Sequence, residues 1–232
     1  MKKELSVSEI FYSIQGEGQT MGIPAVFLRL SGCNLLCKGE GWICDSIKVW
    51  KKGVKTPFED VICPDYIEKL HQGAHLVITG GEPMLHRKAI ERYIKWFEVE
   101  HNFKPIIEIE TNGTISLEPY LEKKVDYWNV SPKLESSGES KKKRFNELSL
   151  FRLNRQGNVI FKFVISKKED ALEVFNEFDK VIDFKNVVFM PAGENQAELE
   201  ITRPIAAQLS VDMCVRYSDR LHIVIWNLKT GV

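Results

Sequence analysis

The chain has 232 residues, with 32 Lys and Arg against 32 Asp and Glu, 44% hydrophobic residues and five cysteines. Roughly one and a half average domain lengths suit one α/β domain with additions, and the content of charged and aromatic residues excludes disorder as the main state. Zero net charge excludes bulk electrostatic binding to nucleic acid, and no apolar run approaches the ~20 residues of a membrane span.

Val7–Tyr12 and Ala25–Ser31 read as the first strands, joined through Gln15-Gly16-Glu17-Gly18, a loop by its glycines. Residues 32–53 have no clear period and hold four glycines, so they read as loop. Pro64–Gln72 is a short helix with Pro64 at its first position. His75–Thr79 is a buried strand ending in Gly80-Gly81-Glu82-Pro83, and Leu85–Glu100 is an amphipathic helix with Ile90, Ile94 and Phe97 on one side. Pro105–Thr111 is a strand ending at Asn112-Gly113, Leu117–Lys124 a helix, and Tyr127–Val130 a strand that stops before Pro132. Glu135–Arg144 reads as an exposed polar loop, and its Lys141-Lys142-Lys143-Arg144 run as a solvated charge run rather than a phosphate site. Asn158–Ile165 is a strand, Lys168–Phe178 a helix, Val187–Met190 a strand ending in Pro191-Ala192-Gly193, Arg203–Leu209 a short helix and Leu221–Ile225 a last strand.

Strands alternating with helices imply βα units and a largely parallel sheet, in which ligands bind at the carboxyl ends of strands. The GGEP, ETNG, SPK and MPAG segments each follow a strand, which points to one shared site in one domain. The basic start, Met1-Lys2-Lys3-Glu4, lacks a following apolar region, so no signal peptide and a cytoplasmic location are expected.

In a reducing compartment five cysteines do not suggest disulfides. Cys33, Cys37 and Cys44 fall within 12 residues, a pattern that points to metal or redox chemistry, whereas Cys63 and Cys214 stand alone among apolar residues and read as ordinary packing. Three thiolates do not close a tetrahedral zinc site. A 4Fe–4S cluster normally takes four cysteines, so three leave one iron open to a substrate or cofactor.

With GGEP following, this loop resembles the radical S-adenosylmethionine (SAM) superfamily, although the usual CxxxCxxC spacing is stretched at its second interval. From Ile10 to Val232 the chain is similar to the 7-carboxy-7-deazaguanine synthase family. The resemblance rests on Phe11-Tyr12-Ser13-Ile14-Gln15-Gly16-Glu17-Gly18, Phe27-Leu28-Arg29, Gly32-Cys33-Asn34, Cys44-Asp45-Ser46, ETNGT, SPK, MPAG and the Leu221-His222…Trp226…Gly231-Val232 ending.

That resemblance implies a partial (β/α) barrel of the radical SAM type, with residues 32–53 as cluster loop and 221–232 as a tail closing the substrate site. It implies an iron–sulfur cluster on Cys33, Cys37 and Cys44, and SAM held by Gly81, Glu82, Glu110, Asn112, Ser131, Pro132, Lys133, Met190, Pro191 and Ala192. Gly80 and Gly81, having no Cβ, are expected to let backbone approach the ligand, and Glu82 to accept from the SAM ammonium. The implied substrate is 6-carboxy-5,6,7,8-tetrahydropterin. Ile14, Gln15, Gly16, Thr79 and the Val232 carboxylate are expected to bind it, with Arg29 pairing its carboxylate; Glu17 and Arg29 are the expected catalytic residues. His222 is a further candidate contact. Ser46 is the implied Mg²⁺ ligand, a usable oxygen donor for an ion that keeps several waters. The implied reaction is hydrogen-atom abstraction at C6, ring contraction and loss of ammonia in queuosine-type biosynthesis. A homodimer and an electron donor such as flavodoxin or ferredoxin go with it. Two other readings are a radical SAM activase that installs a glycyl radical in a partner, and a zinc module that binds nucleic acid through its basic loop.

Overall fold

A computed structural model describes residues 2–39, 42–44, 46–229 and 231, with the side chains of Trp42 and Ile43 left out. In chain order the strands are β1 (Glu4–Ile14), β2 (Pro24–Leu30), β3 (Lys38–Gly39), β4 (Trp42–Ile43), β5 (Val54–Pro57), β6 (His75–Gly80), β7 (Ile106–Thr111), β8 (Tyr127–Val130), β9 (Val159–Ile165), β10 (Val187–Pro191) and β11 (Arg216–Tyr217). The helices are α1 (Ile47–Trp50), α2 (Pro64–His71), α3 (Arg87–His101), α4 (Pro119–Lys124), α5 (Lys141–Arg144), α6 (Glu147–Asn154), α7 (Lys168–Phe178), α8 (Gln196–Asp212) and α9 (Leu221–Trp226).

Among the described residues, one sheet runs β11-β10-β9-β8-β7-β6-β2-β1-β5. From β2 to β11 every neighbouring pair is parallel, while β1 is antiparallel to both β2 and β5. From β6 to β11 the strands are laid down in chain order without reversal. Right-handed crossovers therefore place the connecting helices on one face. Val26, Leu28, Ile107, Ile109, Phe161 and Phe163 join helix residues such as Ile94, Phe97, Val174 and Phe178 in one core there. Strand side chains alternate, so the other face carries Arg29, Thr79, Glu108, Glu110, Asn129 and Lys162. The sheet has two unjoined end strands, β11 and β5, and is a partial barrel.

Several elements differ from the sequence expectation. Leu221–Trp226 is helical and not a strand; Leu221 N donates to Gly16 O at 2.8 Å, and that tertiary anchor overrides the β-branched pattern. The helix expected at Arg203–Leu209 runs from Gln196 to Asp212, starting where the Asn195 side chain caps the Glu198 N–H and continuing through Pro204. The stretch 135–144 is not an exposed loop: Ser137, Glu139 and Arg144 are buried. Arg144 pairs with Glu173 and Glu177 of α7, and its neighbours Lys141 and Lys143 pair with Glu177 and Glu139. The basic run is therefore partly an ion-paired helix. Cys63 and Cys214 are exposed, because Cys63 precedes the first turn of α2 and Cys214 lies in the turn after α8.

Candidate active site

Parallel strands put the segments after β2, β6, β7, β8 and β10 at one rim of the sheet. The cysteine loop leaves β2 at that rim. Cys44 N donates to Cys37 O at 3.0 Å, which folds the long second interval back on itself across the β3–β4 hairpin. Cys44 Sγ lies 3.4 Å from Ser46 Oγ, and the Leu35 N–H points at Cys33 Sγ, also at 3.4 Å. Asp45 of the Cys44-Asp45-Ser46 element lies outside the described residues. Burial pushes the Cys33 thiol up to about 11, and the charges of Glu82, Cys37 and Cys44 add to that. Burial raises Cys37 too, with Lys133 opposing and Cys44 and Glu139 reinforcing the rise. Among the described residues no three His, Cys, Asp or Glu side chains converge on a single ion. A cubane cluster takes one thiolate per iron, so the donor chemistry of three free cysteine thiols on one loop fits that group with one iron left over.

The loop is sewn to two neighbouring turns. Glu82 N donates to Gly32 O at 2.9 Å. A Cβ on Gly81 would lie 2.5 Å from Gly32 O and 2.7 Å from the Cys33 Cβ, and one on Gly80 would overlap Leu30 O. Gly80 thus permits close approach to the end of β2, and Gly81 to the start of the cysteine loop. Glu82 is fully buried, and its carboxylate accepts from Met84 N (2.9 Å), Thr111 Oγ1 (2.7 Å) and Asn112 N (2.7 Å). Burial raises its pKa against those donors. Asn112 Nδ2 donates to Asn34 Oδ1 at 3.0 Å, and Asn34 Nδ2 donates to Thr114 Oγ1 at 2.8 Å. Asn34 lies between Cys33 and Cys37, so the turn after β7 holds the middle of the loop. Beside it, Ser131 N donates to Thr111 O at 2.7 Å and Lys133 Nζ to Ser131 Oγ at 3.1 Å, with Pro132 buried between them. Met190 and Pro191 are buried at the end of β10, and Ala192 N donates to Ile165 O at 3.0 Å.

The Gln15–Gly18 loop comes from the other rim. Because β1 is antiparallel to β2, Ile14 pairs with Pro24 at the start of β2. This loop plugs the opposite end of the barrel and reaches inward. Gln15 Nε2 donates to Glu108 Oε1 (2.6 Å) and Glu110 Oε1 (3.1 Å), and Thr79 Oγ1 donates to Glu110 Oε2 (2.8 Å). Glu110, expected on the SAM side, therefore sits with Gln15 and Thr79. Arg29 is in register with Thr79 on the same face, and its Nε donates to Glu9 Oε1 at 2.7 Å.

Glu17 is held by two cations and a neighbouring histidine, all from distant parts of the chain. Lys162 Nζ donates to its Oε2, Arg220 Nε donates to its Oε1 at 2.9 Å, and His222 Nε2 stands 4.0 Å away. Burial would raise the Glu17 pKa, but Lys162, Arg220 and His222 hold it well below the usual carboxylate range. The tail packs on this loop: a Cβ on Gly16 would overlap the His222 ring, and Gly18 N donates to Ser218 Oγ at 3.0 Å. Val232 lies outside the described residues.

A family profile described as a 4Fe-4S single cluster domain matches residues 14–153. A 7-carboxy-7-deazaguanine synthase of Halobacterium salinarum is 32% identical, over 96% of this chain and 91% of its own length. One from Pyrobaculum aerophilum is also 32% identical, over 97% of this chain and 96% of its own. The chain belongs to the 7-carboxy-7-deazaguanine synthase family. A crystal structure titled QueE from Escherichia coli has the same fold, with a TM-score of 0.68, 23% identity and coverage of 94% of this chain and 95% of that one.

For a member of the 7-carboxy-7-deazaguanine synthase family, the inner face adds residues that sequence reasoning missed. Glu108 is fully buried and accepts from Gln15, Thr20 (2.6 Å) and Asn129, with His75 Nδ1 at 3.4 Å. Lys162, Arg220 and Glu139 were missed as well. The signal for Glu108 and Lys162 was present as charge inside apolar strands, at Ile107-Glu108-Ile109-Glu110 and Phe161-Lys162-Phe163. A charge in such a run is retained only where it finds a buried partner.

Proposed function

We propose that this chain converts 6-carboxy-5,6,7,8-tetrahydropterin to 7-carboxy-7-deazaguanine with loss of ammonia, using an iron–sulfur cluster and SAM. One observation carries the reading: a three-cysteine loop, sewn to the GGEP and ETNGT turns, stands at one rim of a barrel plugged at the other rim by Gln15-Gly16-Glu17-Gly18. Cys33, Cys37 and Cys44 would hold the cluster, and their donor set fits it. Bound there with SAM, the cluster supplies an electron for one-electron bond cleavage, chemistry that side chains cannot perform.

The chain's own residues bind, orient and exclude water. Ser131, Lys133 and the Met190–Ala192 turn share the cysteine rim and suit the polar and adenine parts of SAM. Gln15, Thr79 and Glu110 form a joined donor and acceptor set on the inner face, suited to the edge of a flat pterin. Arg29 suits the substrate carboxylate, because its planar fork has donors beyond the one used by Glu9. Glu17 is too firmly held by Lys162 and Arg220 to take up a proton near neutral pH. Its part is to anchor the plug and the tail, and Val232 is kept as a candidate for the tail's contact with substrate. Ser46 is the candidate protein ligand for Mg²⁺, with water completing the shell. A lyase class, a homodimer, a flavodoxin or ferredoxin as reductant and a cytoplasmic location complete the proposal. Neither an activase nor a zinc module accounts for the buried polar set around Glu108 and Glu110.

Anaerobic reconstitution with iron and sulfide should give about four irons per chain, the content of one cubane. With SAM, Mg²⁺ and reductant the protein should then release ammonia and 7-carboxy-7-deazaguanine from the pterin. SAM cleavage with the pterin left intact would overturn the substrate. Cys33→Ala, Cys37→Ala and Cys44→Ala should each lose the cluster while Cys63→Ala keeps it; equal iron in all four would remove these ligands.

A further inference from the structure

Cys37 lies between two residues whose side chains point away from the protein. Leu36 is 56% exposed and Lys38 is exposed, yet Cys37 itself is buried. Something other than side-chain packing must hold this stretch, and the contacts come from the segment after the Ser131-Pro132-Lys133 turn. Leu36 N donates to Glu139 Oε1 at 2.6 Å. On the other side of Cys37, the Lys38 carbonyl lies where a Cβ on Gly138 would stand, and Gly138 has φ +73°, a backbone conformation that glycine adopts freely.

Glu139 is itself held from behind. Its side chain is 7% exposed, Oε2 pairs with Lys143 of α5 at 3.4 Å, and Glu139 N donates to Ser137 Oγ at 3.4 Å. The far end of α5 is fixed in turn, since Arg144 donates to Glu177 (2.8 Å) and to the Lys133 carbonyl (3.2 Å). A continuous line of contacts runs from α7 through α5 to the backbone on both sides of Cys37.

We propose that the Ser137-Gly138-Glu139 turn is a clamp on the cysteine loop, with Glu139 as a positioning residue that presents Cys37 to the cluster and tunes its potential. The proposal rests on the reading of Cys37 as a cluster ligand. Two separate effects follow. The hydrogen bond to Leu36 N fixes the direction of the neighbouring Cys37 side chain. The negative charge so near a cluster ligand disfavours adding an electron, and hydrogen bonding and charge around a cluster set its potential.

The test uses the reconstituted holoprotein and its Glu139→Ala, Glu139→Gln and Cys37→Ala variants. Four readouts apply: iron per chain, the rate of iron loss to a chelator, amide exchange at Leu36, and the midpoint potential from an electron paramagnetic resonance titration. Glu139→Ala should lose protection at Leu36 and shed iron roughly tenfold faster, the scale of one lost charged hydrogen bond. Amide protection in β7 and β9 should stay as in the wild type. Glu139→Gln keeps an acceptor for Leu36 N and removes the charge, so iron retention should be restored while the potential moves upward. Wild-type iron loss and Leu36 exchange in Glu139→Ala would overturn the clamp, as would an unchanged potential in Glu139→Gln for the tuning role. Should Glu139→Ala fail to fold, Glu139→Gln still tests the charge. Full iron in Cys37→Ala would instead overturn the ligand reading beneath it.

Discussion

At Gly81 the lack of a Cβ is a packing requirement, because the carbonyl of Gly32 and the Cβ of Cys33 fill the space that a side chain would need. Gly81→Ala should push the cysteine loop off the end of β6. The expected outcome is a folded protein with reduced iron after reconstitution, read by metal analysis beside circular dichroism. Residue by residue, the cysteines, GGEP and ETNGT were visible in the sequence because their spacing is unusual. Their division of labour was not. Glu82 and Asn112 stood out as ligand contacts, and the structure adds their partners within the chain: Met84, Thr111 and Asn112 for the Glu82 carboxylate, Asn34 and Thr114 for the Asn112 amide. A motif reveals that a residue matters without revealing whether it touches a ligand or its own chain. Glu108 escaped notice for a related reason: its partners Gln15, Thr20, His75 and Asn129 come from three separate stretches of sequence.

Elements within the parallel sheet are legible in the sequence because each is a short apolar run bounded by turn residues. Tyr127–Val130 and Lys168–Phe178 keep the expected bounds. The failures lie where tertiary contacts decide. In α9 the Leu-His-Ile-Val-Ile pattern alternates like a strand, but its first N–H is claimed by Gly16 O. In α5 four basic residues look like a solvated run, but α7 offers Glu173 and Glu177 to the last of them. The α6 helix was overlooked, although Asn146, whose side chain accepts from Ser149 N, is an N-cap signal readable in the sequence. Arg144 is nearly fully buried between α5 and α7. Removing one partner of a buried ion pair costs about 3–5 kcal/mol, since the other charges are left uncompensated. Arg144→Ala should lower the unfolding midpoint in urea accordingly, whereas Lys142→Ala, at an exposed position of the same short helix, should leave it within error. Equal effects of the two would refute a buried role for Arg144.

For the whole molecule, zero net charge does not mean that charges are idle. They are concentrated locally, and the Glu17 cluster is the clearest case. Glu17 has a lowered pKa when folded, so in acid the unfolded chain binds its proton first. Its stabilising contribution is full above the unfolded value near ~4.3 and is lost as pH falls toward the folded value. His222 acts in the same direction, because burial lowers its pKa and protonation on acidification therefore favours the unfolded chain. The melting temperature should fall more steeply between about pH 5 and 3 in the wild type than in Glu17→Gln. Parallel slopes would show that Glu17 is not coupled to folding. At pH 7 the variant should be the less stable of the two, since Lys162 and Arg220 then face one another without their carboxylate.

The partners of Glu17 and Gly18 in the tail lie 203 and 200 residues further along the chain. Contacts of such long range are late to form, because the chain between must first be ordered. The cysteine loop has shorter needs: Glu82, Asn112 and Glu139 all precede β9. During synthesis from the amino end, everything that grips the loop is made before Arg220 exists. The nascent barrel therefore passes through a stage with its cysteine loop gripped and its Gln15–Gly18 loop held by Glu108 and Glu110 without the tail. The tail docks afterwards, bridging that loop to the turn that follows β10.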